Sequence, residues 1–163
     1  MKTKNITVGG ISIALSLVIL YLSTIIPINT IAILTIASSI IPISIIRSDI
    51  KTAISVYIIT SIISFFFLPI NYSILYILLF GIYGIIKYFI EKINKLYIEI
   101  ILKLLFFNVM LALGYILACS ILSSLINIKL SIYILIIAAQ IMFLIYDYAL
   151  TIIITFYLER IHK

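Results

Sequence analysis

The chain has 163 residues, of which 66% are hydrophobic and only 10% charged, and its mean hydropathy is +1.42. A soluble domain is nearer half apolar and a quarter charged, so the composition excludes one and points to an integral membrane protein. The formal net charge is +6, but the cations sit in short clusters between apolar stretches. That pattern argues against nucleic acid as a partner and leaves the lipid bilayer, with its anionic headgroups, as the natural counter-charge.

A helix needs about 20 apolar residues to cross the hydrocarbon core. The first apolar run, 6–26, follows Lys2 and Lys4. It is too long for the core of a signal peptide and has no small-x-small cleavage site before Pro27, so it is expected to be retained as a span. No charge occurs between Lys4 and Arg47, and one helix of that length would be about twice the core thickness. Pro27-Ile28-Asn29 is the turn that divides it, giving a second span at 30–46. This span is short, carries Ser38, Ser39 and Pro42, and is expected to be kinked or partly re-entrant. Spans three and four, 51–68 and 73–90, divide at Pro69-Ile70-Asn71 in the same way. Spans five and six, 97–124 and 131–157, form a hairpin turning at Asn127-Ile128. The fold predicted is a single all-α transmembrane domain over 1–163, a compact bundle of six helices.

The basic residues fall on alternate breaks of this zigzag. Lys2, Lys4, Arg47, Lys51, Lys87, Lys92, Lys95, Lys103, Arg160 and Lys163 lie on one side, and Lys129 alone on the other. Cytoplasmic loops are enriched in Lys and Arg, so both termini are expected in the cytoplasm. At the largest basic break, Glu91–Lys95 and Glu99–Lys103 are spaced as favourable i,i+4 pairs.

Several chemistries are missing from the sequence. The one histidine, His162, is next to the C-terminus, the one cysteine, Cys119, lies in an apolar run, and no cluster has metal-ligand spacing. There is no nucleophile elbow and no Walker loop. Asp49, Asp147 and Glu159 are too far apart in sequence or depth for paired acid–base work. The expectation is a protein that is no enzyme and holds no metal or cofactor.

The polar residues inside the last two spans carry more information. With the turn at Asn127-Ile128, Asn108 lies at the depth of Asp147, and Tyr115 at the depth of Gln140. A mid-bilayer carboxylate costs several kcal/mol unless paired, hydrated or protonated. Asn108, Asp147 and Lys103 are therefore candidates for an intramembrane polar clamp, or for a ligand or ion site. A clamp alone implies only a modest stability cost for Asp147→Asn. On span four, Tyr72, Tyr76 and Tyr83 share a face by period. Tyr76, Tyr115, Tyr133 and Gln140 form a candidate ligand-binding set in the outer half. Span one presents small residues at Gly10 and Ala14, and at Ser12 and Ser16, a spacing that lets another helix approach closely.

Six spans with both ends inside, no ATP site and Gly10-Ile-Ser-Ile-Ala14 in span one together resemble the substrate-binding S components of energy-coupling-factor transporters. The pattern Ser39-Ile-Ile-Pro42, Leu68-Pro69, Gly81-Ile-Tyr-Gly84-Ile-Ile-Lys87 and Lys103-Leu-Leu-Phe-Phe-Asn108 is similar to S-component-like bacterial membrane proteins. The resemblance implies a bacterial plasma-membrane subunit that captures a micronutrient from outside. It also implies a transmembrane coupling subunit, docked on span one through Gly10 and Ala14, and cytoplasmic ATPases as partners. The alternative is a non-transporting membrane scaffold, similar to the small membrane subunit of the bacterial rod-shape complex, which needs the same bundle but no ligand cavity.

Overall fold

The computed structural model describes residues 3–26, 29–121 and 132–161. They form six helices long and apolar enough to cross a membrane. These are α1 (Thr3–Ile25), α2 (Thr30–Arg47), α3 (Ile50–Phe67), α4 (Ile70–Glu91), α5 (Leu96–Ile121) and α6 (Ile132–Ile161). No strand occurs among the described residues. The turns at Pro27-Ile28 and Asn127-Ile128, together with Lys129 and His162, lie outside the described residues.

The lateral surface is apolar: Ile11, Val18, Phe66, Phe67, Ile101, Ile145 and Phe156 are all well exposed. In water such a surface would aggregate, whereas in a bilayer it is the solvated face. The protein is therefore a multi-pass membrane protein.

Helix α2 corrects the expectation of a partly re-entrant second span. It is helical throughout, Pro42 included, and is the most buried of the six. Its polar residues suit that central position because they are internally satisfied. Ser38 and Ser39 donate to carbonyls one turn back, Thr35 to that of Ile31, and Ser44 to that of Ile40. Ser44 also meets Ser12 of α1 at 2.8 Å. Protein, not lipid, surrounds the backbone that Pro42 leaves unbonded, so a complete span tolerates it.

Span one divides its small residues between two faces. Gly9, Ser12, Ser16, Leu20 and Ser23 are buried against the bundle, with Gly9 close to Thr52 of α3. Gly10 and Ala14 point outward, and a Cβ at Gly10 would meet nothing within 4 Å.

Helix α4 contains a π-helical stretch, Tyr76–Gly81. Such a stretch widens one turn and shifts the phase of everything after it. Tyr76 and Tyr83, seven residues apart, consequently do not form one stripe. Tyr76 is fully buried beside Thr60 of α3, while Tyr83 reaches across to α6. Tyr57 of α3 donates to the Ile77 carbonyl at 2.9 Å, satisfying a backbone acceptor within the widened turn. Close approach of α2 and α4 depends on Gly84, whose Cα faces the Pro42 ring.

Candidate functional site

Four ionised side chains from three helices close into a ring near the end of the bundle that carries the basic residues. Lys87 of α4 binds both Asp147 of α6 and Glu91, one turn along its own helix, the latter at 2.8 Å. Lys103 of α5 binds the same two carboxylates, at 2.9 Å to Glu91 and 3.0 Å to Asp147. Each cation therefore bridges both anions, and the ring is formally neutral. Two further groups complete it. The Tyr83 hydroxyl donates to Asp147 Oδ1 at 2.6 Å, and Thr151 Oγ1 accepts from Lys87 at 2.7 Å. Thr151 donates in turn to the Asp147 carbonyl. Lys87 uses all three of its N–H donors in this way, as a lysine 1% exposed must.

The sequence places these groups by helical period. Tyr83, Lys87 and Glu91 are spaced four apart after the π stretch, so all three lie on one face of α4. Asp147 and Thr151 are likewise one turn apart on α6. Tyr83 is held by aromatic packing: it stacks on Phe106 at 5.8 Å and meets Phe143 edge-on at 5.2 Å.

Of the three residues expected in a clamp, the structure brings Lys103 and Asp147 together and leaves Asn108 out. Asn108 instead accepts from Gln140 at 2.7 Å and donates to the Leu104 carbonyl. The register of α5 against α6 thus differs from expectation, since Asp147 meets residue 103 instead of 108. A neutral amide opposite Asp147 would leave its charge uncompensated; a slide of about one and a half turns supplies a cation. The same register stacks Phe107 on Phe143 at 4.4 Å. Gln140 correspondingly pairs with Asn108 and not with Tyr115.

Lys87 falls within span four as expected, but grouping it with the cytoplasmic cations hid its role as a partner of Asp147. The expected surface pairs are also replaced. Asn94 has φ 55°, a left-handed conformation that breaks the helix between Glu91 and Lys95. Glu91 turns to Lys87 and Lys103, and Lys103 turns away from Glu99 to the ring.

The expected ligand-binding set is not assembled around the cavity found in the other half of the bundle. That cavity, about 170 Å³, is walled by Ile31, Leu79, Phe80, Phe107, Ala139 and Phe143, with Leu75, Met142 and Tyr146 completing it. Tyr76, Tyr115 and Gln140 are not among its walls. Tyr76 belongs to the core, and Tyr115 is half exposed on α5. The Tyr133 side chain lies outside the described residues, although its backbone belongs to α6. Tyr146 spans cavity and core, donating to Ser38 at 3.1 Å and packing edge-on against Phe80 at 4.8 Å.

Among the described residues, no group of three His, Cys, Asp or Glu is placed to hold a metal ion. Within the ring each carboxylate accepts from both lysines, and Asp147 also accepts from Tyr83. The ring's chemistry is that of a neutralised intramembrane network joining α4, α5 and α6. Fold and site together define a six-span membrane protein with an internal charge ring and a small apolar cavity. No protein-family model, curated protein or solved structure matches the chain.

Proposed function

We propose that this protein is the membrane-embedded substrate-binding subunit of an importer of the energy-coupling-factor type. In this reading it lies in a bacterial plasma membrane with both termini cytoplasmic and captures a small neutral ligand from the exterior. ATP hydrolysis belongs to cytoplasmic ATPases that act through a transmembrane coupling subunit. The ten-to-one distribution of Lys and Arg supports the orientation.

The observation that carries the reading is the apolar cavity in the half of the bundle away from the charge ring. A scaffold subunit needs no such space. An apolar cavity of about 150 Å³ in another protein accommodates benzene, so a ligand built around one apolar ring suits the cavity.

Native mass spectrometry of the protein purified from its host tests the reading through a co-purifying ligand and ATPase partners. Recovery of neither would favour the scaffold. Ala139→Leu, which places three more carbons in the cavity wall, should lower ligand retention at least roughly tenfold at unchanged folding. Retention equal to wild type would remove the cavity from the proposal.

Ala14 is exposed on α1 beside the open space at Gly10. Ala14→Leu should therefore abolish co-purification of the coupling subunit while the melting temperature stays the same. Unchanged co-purification would exclude this face as the docking surface.

A further inference from the structure

At the basic end, a cleft of about 370 Å³ opens between the first turns of α1 and the last turn of α2, lined by Lys4, Val8, Ile46 and Arg47. Lys4 and Val8 are one turn apart on α1, so charge lies at the helix end and apolar surface one turn further along. Arg47 and Ile46 repeat this order on α2.

These two cations differ from the buried lysines. Lys87 and Lys103 each bind two carboxylates, whereas neither Lys4 nor Arg47 has one within ion-pair distance among the described residues. The acid nearest in sequence, Asp49, accepts from Asn5 and forms no ion pair with either cation. The Arg47 guanidinium lies 5.8 Å from the centre of the Tyr157 ring. This cation–π contact restrains a planar fork suited to two oxygens of one oxyanion.

We propose that this cleft binds the phosphate group of an anionic glycerophospholipid. Lys4 and Arg47 meet the phosphate, and Val8 and Ile46 meet the glycerol backbone and the first acyl carbons. A soluble phosphate offers the same oxyanion but leaves the apolar walls uncovered, which is why the lipid is the source chosen. Basic pockets between transmembrane helices at the headgroup level have this combination of charge and apolar wall.

The test is native mass spectrometry of the detergent-solubilised protein mixed with equal amounts of phosphatidylglycerol and phosphatidylcholine. Wild type should retain one phosphatidylglycerol in preference to phosphatidylcholine. Lys4→Gln combined with Arg47→Gln should reduce that preference roughly tenfold or more, since each cation near an anionic surface contributes about a factor of five. Lys51→Gln, a neighbouring cation that does not line the cleft, should leave it unchanged.

Equal retention by the double variant would overturn the site. So would an equal loss in Lys51→Gln, which would mean diffuse attraction instead of a local site. Displacement of the lipid by millimolar inorganic phosphate would reassign the cleft to a soluble anion. Both side chains are exposed, so the melting temperature should match wild type; Arg47→Gln alone carries the same comparison if the double variant is unstable.

Discussion

Asp147→Asn should destabilise the protein by about 3–5 kcal/mol, the usual cost of removing one partner from a buried ion pair. The measurement is unfolding in detergent micelles, followed by helicity against temperature or denaturant. The substitution preserves shape and removes only charge, leaving Lys87 and Lys103 to share Glu91. Glu91 is 38% exposed in its side chain, so it is the weaker of the two anions for cations that are nearly inaccessible. The modest cost implied by an isolated clamp is thus replaced by a large one, because the structure adds Lys87 to the network. The ring makes a further prediction about compensation. Lys87→Met in the Asp147→Asn background should recover part of the loss, since it removes the cation stranded by the first change. A loss below about 1 kcal/mol for Asp147→Asn would show that the ring is solvated and contributes little.

Gly84→Ala has the second largest expected effect, a net loss of about 1–3 kcal/mol. In an isolated helix the same change would stabilise by about 1 kcal/mol, so the sign separates packing from propensity. A Cβ at Gly84 would come within 2.8 Å of Pro42 Cδ and 3.4 Å of the Ser38 carbonyl oxygen. The proline ring cannot rotate away, so α2 and α4 must separate, and α4 carries Tyr83 and Lys87 with it. Removing the obstruction with Pro42→Ala should restore much of the stability of Gly84→Ala in a double-variant cycle. A stabilising Gly84→Ala would refute the close approach. Gly81→Ala also meets obstacles, the Tyr57 ring at 2.7 Å and the Tyr76 carbonyl oxygen at 3.0 Å, but both lie within the α3–α4 contact and leave the α2–α4 approach untouched.

Much of the architecture was legible because the bilayer reduces folding to length and charge. A charge-free stretch about twice the core thickness must reverse, and Pro69-Ile70-Asn71 marks where α3 ends and α4 begins. The site was legible only in part. Asp147 and Lys103 stood out as ionisable groups in apolar spans, and the structure joins them. Lys87 was obscured by its distance of a few residues from Lys92 and Lys95. The spacing Tyr83, Lys87, Glu91 was the available indication that the end of span four has one polar face turned inward.

The misplaced residues share a physical cause. A π turn in α4 changes the rotational phase without leaving a distinctive residue pattern, so Tyr76 and Tyr83 diverge although their spacing places them together. The register of α5 against α6 follows the least costly burial of Asp147, and that depends on cations brought by two other helices.

By itself, the sequence determined a multi-pass helical bundle, the number of its spans and the segregation of its cations, because each depends on local composition against a solvent of fixed thickness. Tertiary structure alone decided that Lys87 is internal, that Asn108 pairs with Gln140, and which small residues of α1 face outward. Those outcomes rest on helix rotation and register, which are set by how buried charges and ring stacks from distant segments satisfy one another.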